Sequence, residues 1–71
     1  MSNSVMAIQL NGEVREVSSD LTIQALLEEL DLLGRRVAVE VNQEIVSKDD
    51  FDRFVLSPND VIEIVSFVGG G

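Results

Sequence analysis

The 71-residue sequence contains no cysteine, histidine, tryptophan or tyrosine. Without cysteine and histidine, the chain cannot form the disulfides or the usual zinc sites that stabilise many small domains. A cysteine-ligated iron–sulfur cluster is excluded for the same reason. The most common acid–base group and the most common thiol nucleophile are also missing. We therefore expect no enzyme active site.

Basic residues are scarce, because five lysines and arginines stand against thirteen aspartates and glutamates, for a net charge of −8. Such a surface repels nucleic-acid phosphates and anionic membranes, so neither partner is expected. Long apolar runs and a signal-peptide pattern are absent too, which predicts a cytoplasmic protein. Asp49, Asp50 and Asp52 lie close together but lack the pattern of a calcium loop, so no metal site or bound cofactor is predicted.

The apolar content of 45% is ample for a folded chain, and the length predicts one domain over residues 1–71. Alternation of apolar residues predicts strands, and Asn11-Gly12 and Asn42-Gln43 are predicted as turns between strands. Spacing of three and four residues predicts one helix, with Thr22 or Asp20 as its N-cap and Gly34 as a left-handed stop after it. The predicted elements are strands over 5–10 and 13–17, a helix over 23–31, strands over 37–41 and 45–47, an irregular turn over 49–54, and a strand over 61–68.

The second strand breaks the alternation of a regular strand. Val14 and Val17 are three residues apart, so they cannot lie on one face of a regular strand. The sequence therefore predicts a bulge or an early end of this strand.

A helical stripe and one face of each strand must cover each other. The simplest arrangement is a mixed sheet of four or five strands wrapped around the single helix. The first and last strands would be central and parallel, since their connection is long enough to cross over.

The chain ends in three glycines, which follow the last predicted strand directly. Glycine has no Cβ, so Gly69, Gly70 and Gly71 could enter a narrow slot of a partner and present the terminal carboxylate there. Apolar residues that precede such a tail, and small residues on the outer sheet face, could form the docking patch. The predicted docking residues are Val65, Phe67, Val68, Ala7 and Ala38.

This order of elements, ending in glycines, resembles the ubiquitin-like β-grasp fold, and more narrowly the sulfur carrier proteins of thiamine biosynthesis. The resemblance covers nearly the whole chain. It rests on segments 8–12, 22–27, 39–46 and 60–65 and on the ending Phe67-Val68-Gly69-Gly70-Gly71. The sequence departs from the family pattern in a short N-terminal extension and in a third glycine.

The resemblance implies a carrier that partner enzymes act on. A ThiF-like adenylyltransferase would use ATP to adenylate the Gly71 carboxylate, and a cysteine desulfurase or another donor would supply sulfur to form a thiocarboxylate. Thiazole synthase would then receive the sulfur. Two alternatives stay open at this point: the small subunit of molybdopterin synthase, and a ubiquitin-like modifier or interaction module.

Overall fold

A computed structural model describes residues 4–67. Across them, the chain forms five strands and one α-helix. The strands and the helix, in chain order, are β1 (Val5–Leu10), β2 (Glu13–Ser18), α1 (Ile23–Glu29), β3 (Val37–Val41), β4 (Glu44–Val46) and β5 (Val61–Ser66). A single 3-10 turn, Lys48–Asp50, precedes the partly irregular connection to β5.

The strands form one mixed sheet in the order β2-β1-β5-β3-β4. The first and last strands, β1 and β5, are parallel neighbours at the centre, and the other pairs are antiparallel. This confirms the predicted α+β arrangement of a mixed sheet around one helix. Consequently the C-terminal strand has hydrogen-bonded neighbours on both sides.

The first hairpin is regular, contrary to the predicted bulge. Asn11 and Gly12 both have positive φ, as a two-residue hairpin turn requires. All six residues of β2 pair in register with β1, so Val17 lies opposite Met6 in the core and Val14 lies opposite Gln9 on the other face. The prediction was wrong because it required both valines to be buried, whereas Val14 is 75% exposed.

The helix begins as predicted and ends earlier than predicted. Thr22 is the N-cap, and its Oγ1 accepts a hydrogen bond of 3.1 Å from the backbone N–H of Ala25. Asp31, with φ of 61°, takes a left-handed conformation just after the helix, and Gly34, the predicted left-handed stop, has φ of 84° three residues further on. The backbone N–H groups of Asp31 and Leu32 donate to the carbonyls of Glu28 and Leu27, which satisfies the last turn.

The core lies between α1 and the inner face of the sheet. Three residues of α1 and most inward-facing residues of β1, β3 and β5 are buried, together with Val17 of β2 and with Leu21, Phe51 and Leu56 from the connections. No helix among residues 4–67 has the length and apolar character needed to cross a bilayer.

Candidate functional site

The segment that leads to the glycines is the central strand β5. Its last register pair joins Ser66 to Val37, and the Phe67 N–H then donates to the Arg36 carbonyl at 3.0 Å. Backbone hydrogen bonds therefore fix the chain as far as Phe67, the last residue that the structure describes. Val68 and Gly69–Gly71, which include the predicted reactive end, lie outside the described residues.

Two hairpin-turn asparagines hold β5 through their side chains. β1 ends at Leu10, which is the register partner of Ile62, so the C-terminal part of β5 has no β1 residue beside it. Asn11 replaces that neighbour: its Oδ1 accepts from the Ile64 N–H at 2.9 Å, and its Nδ2 donates to the Ile64 carbonyl at 3.3 Å. Asn42 Oδ1 likewise accepts from the Val61 N–H at 2.9 Å.

From the sequence, Asn11 and Asn42 are predicted only as turn residues. A signal for the additional role was available, because each asparagine immediately follows a predicted strand and its amide can both donate and accept. The partner strand, however, is about 20 to 50 residues away in the sequence. Only the sheet order brings these groups together.

Part of the predicted docking patch is assembled at the root of the tail. Val65 and Ala38 are register partners on adjacent strands, and both point away from the helix. Val65 is 55% exposed and Phe67 is 51% exposed, so apolar surface is available beside the exit of the chain. We call Ala38, Val65 and Phe67 the tail-root patch.

Ala7 lies on the same outer face but far from this patch. It pairs with Glu16 of β2, and its carbonyl accepts from the Asn59 N–H. The register of Gln9 with Val61 puts Ala7 six residue positions before Val65 along the strand direction. At a rise of roughly 3.3 Å per residue, the separation is about 20 Å.

Acidic residues adjoin the tail-root patch on the outer face. Glu40 and Glu63 are direct register partners on β3 and β5, and Ile45 of β4 is the other neighbour of Glu40. Like charges directly opposite each other oppose strand pairing. A partner surface that carries basic side chains would relieve this repulsion. Among residues 4–67, no cluster of three or more acidic residues is placed to hold a metal ion.

Comparison with known proteins gives consistent matches. The ThiS family pattern matches residues 8–71. The sulfur carrier protein ThiS of Bacillus subtilis (strain 168) is 46% identical over 65 residues, which cover 90% of this chain and 98% of that protein. A crystal structure of the thiamine biosynthesis protein ThiS from Geobacter metallireducens superimposes with a TM-score of 0.78 at 30% identity, covering 93% of this chain and 100% of that one.

A longer relative matches as well. The thiazole synthase of Paramagnetospirillum magneticum (strain ATCC 700264 / AMB-1) is 46% identical over 66 residues, or 93% of this chain. The chain spans only 20% of that protein's length.

A five-stranded mixed sheet with one helix, in this order of strands, defines a β-grasp domain. The chain belongs to the ThiS family. It is a sulfur carrier of thiamine biosynthesis, as the resemblance implied.

Proposed function

We propose that Gly71 carries the sulfur as a terminal thiocarboxylate. The Gly71 carboxylate attacks the α-phosphorus of ATP on a ThiF-like adenylyltransferase, which forms an acyl-adenylate and releases pyrophosphate. A sulfide-level donor can then attack the carbonyl carbon, displace AMP and give the thiocarboxylate directly. When the donor is the persulfide of a cysteine desulfurase, the attack displaces AMP and gives an acyl disulfide with the donor cysteine, and a thiol reductant cleaves its S–S bond to release the thiocarboxylate. The carrier supplies no catalytic residue, so the partner enzymes perform both steps.

The single observation that supports this proposal best is the way β5 leads to the glycines. The end of β5 is held by its register with β3 on one side and by the Asn11 side chain on the other, which gives the tail a fixed base that ends in exposed Val65 and Phe67. Val68 to Gly71 add four residues, which span at most about 14 Å when extended. Gly69 and Gly70 let that span pass through a channel too narrow for a Cβ, into a site that excludes water.

Thiazole synthase is the proposed recipient of the sulfur. Support comes from the relative named thiazole synthase, in which a sequence similar to nearly the whole of this chain forms part of one polypeptide. Joining a carrier to the enzyme it serves would raise the effective concentration of the carrier at that enzyme.

The test of the proposed function is the intact mass of the chain after incubation with ATP, a ThiF-like adenylyltransferase and a sulfur donor. We expect the mass to rise by the difference between one sulfur and one oxygen atom, with the change located on Gly71. A much larger adduct would instead identify a conjugated modifier. An unchanged mass with active partner enzymes would contradict the carrier chemistry.

We further propose that the tail-root patch, with Val68, docks the chain on the adenylyltransferase. The Val65→Asp substitution should weaken binding by roughly tenfold or more, because it removes apolar contact area and would bury a carboxylate in the apolar part of the interface. Isothermal titration with the adenylyltransferase measures this affinity.

Val14→Asp is the matched control for this experiment. Val14 is even more exposed and lies on the outer face, but it belongs to the edge strand β2, away from the tail root. The Val14→Asp chain carries the same added charge, but the substitution lies outside the tail-root patch. Its affinity for the adenylyltransferase should therefore stay close to that of the parent chain. Equal weakening by both substitutions would assign the effect to net charge and contradict the tail-root patch. Ala7→Asp then tests the distant end of the predicted patch.

A further inference from the structure

A cavity of about 210 Å³ lies between the end of α1 and the 3-10 turn. Leu27, Leu33 and Phe51 contribute to its apolar wall. Arg35, Arg36 and Lys48 also line it. We call this cavity the basic pocket. It faces the side of the sheet that carries the helix, whereas the tail-root patch is on the outer side.

The basic pocket concentrates positive charge in a chain whose net charge is −8. The two cationic residues outside the pocket, Arg15 and Arg53, form ion pairs with Glu29 at 3.8 Å and Asp50 at 3.2 Å. Within the part of the chain that the structure describes, Arg35, Arg36 and Lys48 have no such partner. Three cations around an apolar wall suit an occupant with an apolar side chain and a carboxylate.

The C-terminal segment matches that description and is attached beside the pocket. Phe67 is hydrogen-bonded to Arg36, and Ser66 is the register partner of Val37, which also lines the pocket. Beyond Phe67, the sequence continues with one valine and three glycines, and the proposed function has the reactive carboxylate on Gly71. An extended reach of at most about 14 Å exceeds the dimensions of a cavity of this size.

We propose that the basic pocket binds the chain's own C-terminal segment when no partner holds it. Val68 packs on the apolar wall, and the Gly71 carboxylate pairs with Arg35 or Arg36. Attachment at Phe67 gives the segment a high effective concentration at the pocket. Exposed ion pairs are individually weak and sensitive to salt, so a partner enzyme can withdraw the tail easily. This inference rests on the proposed function, because it assigns a resting position to the Gly71 carboxylate as the reactive group.

The experiment compares the chain that ends in a free Gly71 carboxylate with the same chain amidated at Gly71. Amidation removes one negative charge without changing the backbone. We expect the side-chain NMR signals of Arg35, Arg36 and Lys48 to shift between the two chains, and 0.5 M salt, where the Debye length is only about 4 Å, to diminish the difference. The Arg53 signal is the control and should stay in place.

A second measurement reports the apolar contact. Nuclear Overhauser effects between the Val68 methyl groups and Leu33 should appear in the free-acid chain and weaken in the Arg35→Gln/Arg36→Gln variant. Both arginines are exposed, so this variant should fold as the parent does. Shifts confined to residues 68–71, or shifts that grow with protein concentration and so indicate a second copy as the occupant, would overturn the inference.

The proposed function is judged separately, by the mass change with the partner enzymes. Normal sulfur loading without NMR shifts at the basic pocket would contradict only the proposed resting position. A docked tail in a chain that cannot be loaded would instead remove the proposed function.

Discussion

Deletion of Gly71 should abolish adenylation and sulfur loading while leaving the fold intact. The shortened chain still ends in two glycines, but its carboxylate falls roughly 3.5 Å short of the position that the parent carboxylate would reach. A misplacement of only about 1 Å can cost a factor of about a hundred in rate, so no product should be detected. The fold should survive because the register pairs of β5 end at Ser66.

The Gly70→Val substitution tests the channel rather than the length of the tail. It keeps the carboxylate at position 71 and adds a branched side chain where we expect only backbone to fit, so loading should again be lost. Intact mass measures loading, and thermal unfolding checks that both variants keep the parent stability. The Val14→Asp chain should load normally. Loading of the truncated chain at the parent rate would refute the assignment of Gly71 as the reactive residue.

The Leu26→Ala substitution should lower the free energy of unfolding by about 2–5 kcal/mol. Leu26 has no exposed surface and lies in α1, the one α-helix among residues 4–67. Its truncation leaves a cavity between the helix and the sheet that the surrounding strands cannot fill. A domain of this size has a small core, and the free energy of unfolding of native proteins is only about 5–15 kcal/mol. The loss is therefore a large part of the total stability.

Chemical denaturation measures the change, with Gln24→Ala as the control in the same helix. The Gln24 side chain is exposed, and alanine favours the helix. The free energy of unfolding of the Gln24→Ala variant should therefore differ from that of the parent by less than about 0.5 kcal/mol. If Leu26→Ala were as mild as the control, the core would not depend on α1 packing. Sulfur loading of the folded fraction should be unchanged, since Leu26 is on the inner side of the sheet.

Most of the fold could be predicted because its signals are local. Period-two alternation identified the buried faces of β1, β3 and β5, and the Asn11-Gly12 pair identified the first hairpin. Local patterns were insufficient where the sequence allowed two backbone conformations, as in β2 and at the end of α1. The exposed position of Val14 satisfies the register of β2 as well as a bulge would have done, and Asp31 ends the helix without a glycine.

The structure brings together some of the residues that were predicted to form the docking patch, and it separates others. Val65 and Ala38 are neighbours, as a shared docking patch requires, but the sequence could not show that Ala7 lies about 20 Å away on the same face. That distance depends on the register of β1 against β5, which is set by residues more than 50 positions apart. Gly69, Gly70 and Gly71 as the reactive tail remain a prediction, as does Val68 in the docking patch.

By itself, the amino-acid sequence determined which faces are apolar, where the chain turns, and which chemistry is absent, since each depends on residue types or on neighbours a few positions away. Only the tertiary structure decided that Asn11 and Asn42 hold β5, and that Arg35, Arg36 and Lys48 surround one cavity beside the root of the tail. The physical reason is that hydrogen bonds and charge clusters depend on distance in space. Those distances follow from the strand order β2-β1-β5-β3-β4, which no local pattern encodes.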